Sequence, residues 1–220
     1  MEISTQYSSE RDEMVLRQIE NRGLSNSRLL NALRWLPRHE FVKQGDEKYA
    51  YKDEPLSIGF GQTISQPYIT ALMTSLAALE GNENVLEVGT GSGYQAALLG
   101  LLARKVISIE RIPELADRAQ KVISRLGIPN VKVITGDGTT GWPENAPYDA
   151  ILVTAGAPSV PQALLDQLSD GGRMIIPVGS RSVQNLQVWQ RNGNRFNEEN
   201  ILPVVFVPLL GKYGWQIRTD

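Results

Sequence analysis

A glycine-rich turn is the feature of this sequence with the clearest chemical use. The apolar run Val85–Val88 leads directly into Gly89, Gly91 and Gly93, and a second apolar run begins at Tyr94. Glycines between a strand and a helix let the backbone turn tightly and approach a ligand closely. The dinucleotide fingerprint needs a glycine where Tyr94 stands, which disfavours a nicotinamide or flavin cofactor.

Acidic residues follow the predicted strands at positions suited to holding a cofactor. Glu110 ends the second strand, 21 residues after Gly89, where doubly wound folds place a carboxylate for ribose hydroxyls. Asp137 lies between two glycines after the third strand. Its side chain can accept a hydrogen bond from an adenine amino group or simply form a turn. Glu87 can bind the amino group of a cofactor or be satisfied by backbone.

The spacing of glycines after an acidic residue resembles the first motif of S-adenosylmethionine-dependent methyltransferases. Nucleotide binding and a purely structural turn remain alternatives for the loop taken alone. The carboxyl ends of parallel strands meet at one edge of a sheet, so the glycine loop, Glu110 and Asp137 are predicted to share one site.

Strands and helices alternate over most of the chain. This order predicts an α/β fold with a Rossmann-like, doubly wound, mostly parallel sheet, an N-terminal helical cover and an antiparallel C-terminal edge. The resemblance of the glycine loop implies the class I S-adenosylmethionine-dependent methyltransferase form of this fold. The cover is predicted from helices that end at Gly23 and Pro37, with a further helix from Ser65 to near Gly81. The predicted strands are Asn84–Val88, Val106–Ile109, Val131–Ile134, Ala150–Val153, Arg173–Val178, Leu186–Gln190 and Val204–Val207, and the later helices are Tyr94–Ala103, Pro113–Leu126 and Pro161–Leu168.

Composition narrows the range of functions. The chain of 220 residues has 22 basic and 24 acidic side chains, which gives no electrostatic footprint for nucleic acid or an anionic membrane. It has no Cys and one His, so a transition-metal site is not expected. The polar start, Met1–Glu13, lacks the pattern of a signal peptide. We therefore expect one cytoplasmic, monomeric domain over 1–220, with a cover in 1–80, a cofactor-binding core in 81–180 and C-terminal strands in 181–220.

An ordered set of motifs is similar to the protein-L-isoaspartate O-methyltransferase family, in its microbial branch. The most specific is Gly61-Gln62-Thr63-Ile64-Ser65-Gln66-Pro67-Tyr68, and the set runs in family order from Arg38 to Trp215. The other matches are Arg38–Val42, Asp53–Leu56, the glycine loop, Gly136–Thr139, Pro147–Ala150, Ala157–Pro158, Gly171–Arg173, Phe206–Leu209 and Gly211–Trp215.

The resemblance implies a repair enzyme that methylates the free α-carboxylate of L-isoaspartyl residues in damaged proteins, after which the ester collapses to a succinimide. S-adenosylmethionine would be the methyl donor and S-adenosylhomocysteine the product. Ser65 would be the catalytic residue, and its position before Gln66 and Pro67 also predicts an N-cap. Cofactor binding is expected from Gln62, Thr63, Ile64, Ser65, Glu87, Gly89, Gly91, Glu110, Arg111, Asp137 and Gly138, and substrate binding from Thr63, Ile64, Ser65 and Val207.

The expected chemistry needs few catalytic groups. A carboxylate is already ionised at neutral pH and attacks a sulfonium methyl group without a general base. His39, the only histidine, is accordingly interpreted as a packing or surface residue. Three rivals stay open: a nucleic-acid amino-methyltransferase, disfavoured because Val153–Pro158 lacks its motif, a small-molecule methyltransferase, and a cofactor-binding scaffold without activity.

Overall fold

The computed structural model describes residues 6–216, so the outermost ends of the predicted domain, 1–5 and 217–220, lie outside the described residues. The first helical run is α1 (Ser8–Met14), which continues through a π-helical turn, Val15–Ile19, and a 3₁₀ turn, Glu20–Arg22. It ends at Gly23, whose φ of 94° gives the left-handed conformation typical of a helix end. The predicted stop at Gly23 is confirmed.

Two further helices complete the N-terminal cover. Helix α2 (Ser27–Trp35) begins after Asn26, whose side chain accepts a hydrogen bond from the Leu29 amide. Helix α3 (Pro67–Leu76) ends earlier than the predicted stop near Gly81. Buried leucines of α2 pack in the same core as helix α4 (Tyr94–Leu102), so the cover lies on the α4 side of the sheet.

The segment between α2 and α3 contains a β-hairpin that the sequence analysis did not predict. Strands β1 (Leu56–Gly59) and β2 (Gln62–Ile64) pair antiparallel. The two turn residues, Phe60 and Gly61, have φ of 54° and 68°, as a type I′ turn requires. The sequence concealed this hairpin because an aromatic residue rarely adopts positive φ.

Seven strands form the main sheet in the order β5-β4-β3-β6-β7-β8-β9. The first five are parallel, and β8 and β9 are antiparallel to their neighbours, so the predicted fold class is confirmed. The strands are β3 (Asn84–Val88), β4 (Lys105–Glu110), β5 (Val131–Thr135), β6 (Tyr148–Val153), β7 (Leu168–Gly179), β8 (Gln184–Asn192) and β9 (Arg195–Val204).

Successive residues of the central strands face opposite cores. Val85 of β3 faces the core shared with α4 and helix α5 (Pro113–Arg125), whereas Leu86 and Val88 face the core beneath helix α6 (Gln162–Leu165). Both faces are apolar because both are covered, which is why these strands are continuous hydrophobic runs. No helix within residues 6–216 combines the length and apolar character needed to cross a membrane.

Three predicted elements near the C-terminus were wrong in their bounds. The α6 segment is one turn rather than Pro161–Leu168, and β7 begins at Leu168 rather than Arg173. The last strand, β9, precedes the predicted Val204–Val207 and shares only Val204 with it. Its polar sequence hides it because it is an edge strand with largely exposed side chains.

Candidate functional site

A cleft of about 870 Å³ opens at the carboxyl ends of β3, β4 and β6. Strand order reverses between β3 and β6, and such a switch point is where open α/β sheets bind ligands. The cleft is lined by Gln62–Ser65 of the hairpin side, Thr70 and Met73 of α3, the glycine loop with Val88, Tyr94 and Gln95, Ile109–Arg111 after β4, Gly138, Thr154, Ala155 and Val207–Leu210.

The glycine loop forms the floor of this cleft. Gly89 has φ of 100°, and its amide donates to the Ile109 carbonyl at 2.8 Å. A Cβ at Gly89 would lie 2.5 Å from Thr154 Oγ1, and that hydroxyl lies within hydrogen-bond distance of the Val88 and Gly89 carbonyls. Both the backbone conformation and the close approach of β6 therefore require glycine here.

Glu110 lies in the cleft as the sequence predicted. It is 5% exposed, and its carboxylate accepts hydrogen bonds from the Gly91 amide at 2.8 Å and from the Ile112 amide at 3.0 Å. Each oxygen keeps a lone pair that can accept a further hydrogen bond. No cation within residues 6–216 lies within salt-bridge distance of Glu110, so the carboxylate is available to ligand donors.

Glu87 does not line the cleft, although the sequence placed it among the cofactor-binding residues. It is fully buried in β3, where Ser108 Oγ donates to its Oε2. Burial raises the pKa of Glu87 to about 8, with a further rise from the charge of Glu110 and an opposing effect of the Ser108 hydrogen bond. Ser108 also bonds Thr90, which does line the cleft, so any effect of Glu87 on a ligand is indirect.

Asp137 is also absent from the cleft lining, whereas its neighbour Gly138 is present. The Asp137 carboxylate accepts a hydrogen bond from the Lys212 amide at 2.7 Å, and it also accepts hydrogen bonds from the amide and the hydroxyl of Thr139. Burial by itself would raise the pKa of Asp137, but these hydrogen bonds lower it below its usual value. The carboxylate thus anchors the C-terminal segment beside the cleft.

The hairpin supplies the wall opposite the glycine loop. Ser65 follows β2 and is half-buried, and its carbonyl accepts a hydrogen bond from Arg38 Nη2 at 2.6 Å. The predicted N-cap role of Ser65 is wrong: Gln66 is the N-cap of α3, and its side chain makes no cap bond. Pro67 forces the residue before it into an extended conformation, which places the helix boundary one residue later.

A second cavity adjoins the cleft on the hairpin side. This groove has a volume of about 1320 Å³ and is walled by Pro55, Tyr68 and the segment Leu202–Val207, with Val205 76% exposed. Cleft and groove share four lining residues: Thr63, Ser65, Thr154 and Val207. The Val207 carbonyl accepts a hydrogen bond from the Gly156 amide at 2.8 Å, and this bond holds the end of the segment Leu202–Val207 at the junction of the two cavities. A ligand in one cavity can therefore meet a ligand in the other.

Several functional candidates escaped the sequence analysis. Thr154 is at the cavity junction, and Thr90, Met73 and Gln95 line the cleft. Thr154 had a usable signal, since it follows β6 at the reversal of strand order. His39 lies outside both cavities; it is 6% exposed and its Nδ1 hydrogen-bonds the Tyr51 hydroxyl at 2.7 Å, as a packing residue would. The described residues contain no cluster of potential metal ligands.

The donor set of the cleft fits S-adenosylmethionine. A buried carboxylate without a cation, Glu110, suits a ribose diol, and the apolar surfaces of Ile109 and Leu210 suit a flat base. Arg111 is the only basic residue among those that line the described cleft, which is compatible with a ligand that carries a sulfonium cation.

Comparisons with known proteins agree with this geometry. The family model for protein-L-isoaspartate(D-aspartate) O-methyltransferase matches residues 9–214. The protein-L-isoaspartate O-methyltransferase of Methanoculleus marisnigri is 52% identical over 207 residues, 94% of each chain. A solved protein-L-isoaspartate O-methyltransferase superposes with a TM-score of 0.85 at 32% identity over 93% of this chain and 67% of its own. The solved structure of a protein-L-isoaspartate O-methyltransferase from Plasmodium falciparum, in complex with S-adenosyl-L-homocysteine, superposes with a TM-score of 0.77 at 27% identity over 91% of this chain and 98% of its own.

Fold and site together define an S-adenosylmethionine-dependent methyltransferase with a Rossmann-like sheet. The chain belongs to the protein-L-isoaspartate O-methyltransferase family. Its activity is accordingly the S-adenosylmethionine-dependent methylation of isoaspartyl residues in protein repair.

Proposed function

We propose that the cleft holds S-adenosylmethionine, that the groove holds the isoaspartyl segment of a damaged protein, and that methyl transfer occurs where the two cavities meet. The observation that carries this assignment is the set of lining residues common to both cavities, Thr63, Ser65, Thr154 and Val207. A methyl donor and an acceptor must come within van der Waals contact, and this junction is where the two cavities are in contact.

The cofactor contacts follow from the donors and acceptors in the cleft. Glu110 binds the ribose hydroxyls through its remaining lone pairs, with Gly89 and Gly91 allowing close approach of the backbone. Arg111 and Gly138 border the same ligand, and Glu87 acts only through Ser108 and Thr90. Asp137 acts through its hydrogen bonds to Thr139 and Lys212, which hold the C-terminal segment in place.

When bound, the cofactor supplies an electrophilic methyl group on a sulfonium ion. The residues at the junction align the acceptor: the Ser65 hydroxyl has no hydrogen-bond partner among residues 6–216 and is free to bind the incoming α-carboxylate. An ionised carboxylate needs no general base, so alignment is the main contribution of the protein. Good orientation is worth on the order of 7 to 11 kcal/mol in intramolecular reactions.

The groove explains why the acceptor is a peptide segment rather than a small metabolite. It is larger than the cleft and is bordered by the exposed apolar side chains of Val183 and Val205. Such a surface suits an extended peptide segment. Both cavities are formed by residues of one chain, so a monomer suffices for the proposed transfer. A chain without Cys suits the reducing cytoplasm, which is the proposed location.

The test compares methyl transfer to three peptides of one sequence that carry isoaspartate, aspartate or asparagine at one position. We expect transfer to the isoaspartyl peptide only, and Ser65→Ala should lower kcat by about 10- to 100-fold with little change in S-adenosylhomocysteine affinity. Ser57→Ala is the matched control, because Ser57 lies on the other strand of the same hairpin and lines neither cavity. Equal transfer to the aspartyl peptide would refute the assignment, and unchanged turnover in Ser65→Ala would remove Ser65 from it.

A further inference from the structure

One buried side chain lies behind the hairpin wall, which we also call the substrate wall because it borders the groove, and its contacts play no part in the proposed chemistry so far. Arg38 is fully buried at the start of the 3₁₀ turn Arg38–Phe41. Its Nε donates to the Ala50 carbonyl at 2.7 Å and its Nη2 to the Ser65 carbonyl at 2.6 Å. These two carbonyls bracket the segment that contains the hairpin, so one guanidinium ties both ends of the substrate wall together.

No carboxylate lies within salt-bridge distance of Arg38 among residues 6–216, although the charge of Asp53 is near enough to favour the protonated guanidinium. None of the ion pairs among residues 6–216 includes Arg38, and its Nη1 has no hydrogen-bond partner there. Burial lowers the pKa of Arg38 to about 10, so the side chain stays protonated at neutral pH. A buried cation without a salt-bridge partner is costly unless its hydrogen bonds compensate, and Arg38 has two such bonds. Its contacts therefore deserve an account in terms of the site as well as of stability.

Arg38 also contacts the opposite wall of the cleft. Its guanidinium carbon lies 4.9 Å from the centre of the Tyr94 ring. Tyr94 is buried, begins α4 directly after the glycine loop, and lines the cleft. The flat guanidinium thus joins the substrate wall, through Ser65, to the side of the cleft formed by the glycine loop and Tyr94. Lys could not make this set of contacts because its ammonium group is a single point of charge.

We propose that Arg38 is a positioning residue for methyl transfer, which fixes the Ser65 backbone relative to the glycine loop and so aligns the acceptor carboxylate with the methyl group. The inference rests on the proposed function, since it concerns the geometry at the junction of the two cavities. Its place behind the wall is chemically appropriate: carboxylate and sulfonium charges cancel during transfer, so a cation in contact with the carboxylate would stabilise the ground state more than the transition state.

The experiment compares Arg38→Lys with Arg28→Lys, each against the unmodified chain. Arg28 is a control of the same hydrogen-bond type, since it donates to the Leu79 and Leu102 carbonyls at 3.1 Å and lines neither cavity, although it is exposed. Calorimetry with S-adenosylhomocysteine gives the fraction of competent sites, and kcat and KM for the isoaspartyl peptide are then expressed per competent site. Melting temperatures set an assay temperature at which all three proteins are folded.

For Arg38→Lys we expect kcat to fall at least about 10-fold per competent site, with the KM for the peptide and the Kd for S-adenosylhomocysteine within about threefold. Arg28→Lys should keep kcat, KM and Kd. Wild-type kcat per competent site in Arg38→Lys would overturn the proposal, as would equal losses in the two variants.

A second variant keeps the proposal testable if Arg38→Lys does not fold. Arg38→Gln is shorter and uncharged but can still donate to one carbonyl, and it should show the same loss of kcat at unchanged cofactor affinity. Failure of both variants to fold at any temperature would overturn the proposal in favour of a purely stabilising role. Absence of isoaspartyl methylation in the unmodified chain would instead refute the proposed function, so the two failures are distinguishable.

Discussion

The two walls of the cleft are held in place by different kinds of contact. On the sheet side, the glycine loop and Glu110 follow directly from parallel strands whose backbone ladders fix their positions. On the hairpin side, the wall is tied to the rest of the chain by side chains that donate to its carbonyls, Arg38 to Ser65 and Arg118 to Ile58. We therefore expect cofactor binding to depend mainly on backbone geometry and acceptor alignment to depend on a few long side chains.

This difference implies that the two functions are separable by mutation. Changes to Gly89 or Glu110 on the sheet side should alter cofactor affinity, whereas changes to Ser65 or to Arg38 behind it should mainly alter turnover, even though the hairpin side also lines the cleft. Substitutions on the two walls test that separation.

Gly89→Ala should give the largest effect. The substitution places a Cβ against Thr154 in a left-handed backbone conformation, so we expect at least about a 100-fold loss of S-adenosylhomocysteine affinity and a loss of roughly 2 to 4 kcal/mol in the free energy of unfolding. Calorimetry and chemical denaturation measure the two quantities. Gly45→Ala is the control, because Gly45 has φ of 94° but nothing within 4 Å of a new Cβ, and it should lose only about 1 kcal/mol. Equal losses of stability and of affinity in the two variants would show that the close approach of Thr154, after β6, does not contribute.

Glu110→Gln should weaken cofactor binding without affecting the hairpin wall. The amide keeps the shape of the carboxylate but loses its charge, and its NH2 group cannot accept from the Gly91 or Ile112 amide that it faces. Charge-assisted hydrogen bonds are worth about 1.5 to 3 kcal/mol, so the Kd for S-adenosylhomocysteine should rise about 10- to 100-fold. The exposed Glu114 lines neither cavity, and Glu114→Gln should leave the Kd unchanged. A loss of kcat at constant Kd in Glu110→Gln would contradict the separation of the walls.

Glu87→Gln should change how stability depends on pH. Burial raises the pKa of Glu87 from 4.5 to about 8, so the folded protein holds this proton more tightly than the unfolded chain does. The resulting stability is complete below about pH 4.5 and is lost as the pH rises through about 8. Glu87→Gln removes that dependence, and we expect a relative gain on the order of 1 to 3 kcal/mol at pH 9 compared with pH 5.

Melting and denaturant curves at pH 5, 7 and 9 measure this difference, with Glu114→Gln again as the control. A difference between Glu87→Gln and the unmodified chain that stays constant from pH 5 to pH 9 would show that Glu87 is ionised throughout. The sheet wall would then contain a buried charge, and the hydrogen bond from Ser108 would have to be reinterpreted as its main stabilising contact.

Val205→Ser should have the smallest effect and should be confined to the groove. Val205 is 76% exposed, so its loss removes only part of an apolar contact, and the KM for an isoaspartyl peptide should rise about two- to fourfold at unchanged kcat. Leu16→Ser is the control, since Leu16 is also an exposed apolar residue, 48% exposed, and lines neither cavity. A rise in KM shared by both variants would point to a nonspecific effect.

The sheet wall was largely predictable from the sequence, because each signal is local. The apolar strand before Gly89 and the acid at the end of β4 identify themselves by residue type and spacing within a few tens of residues. The same local information left two roles open for Glu87, since a strand-end acid is compatible both with a ligand contact and with the buried hydrogen bond to Ser108 that the structure shows.

The hairpin wall was predictable in its residues through family resemblance but not in its shape. Phe60 at positive φ conceals a type I′ turn, and Pro67 moves the start of α3 past Ser65 to Gln66. The C-terminal edge was concealed for a related reason: β9 is a polar edge strand, and pattern rules that rely on buried side chains do not detect it.

Residue types and periodicity were enough to predict the doubly wound sheet and to single out the glycine loop, because both signals are local in the chain. The meeting of Thr63, Ser65, Thr154 and Val207 at one junction, and the link that Arg38 makes from Ser65 to Ala50 beside the Tyr94 ring, became visible in three dimensions only. These residues are far apart in the chain, and their proximity follows from how helices and hairpin pack on the sheet rather than from any local pattern.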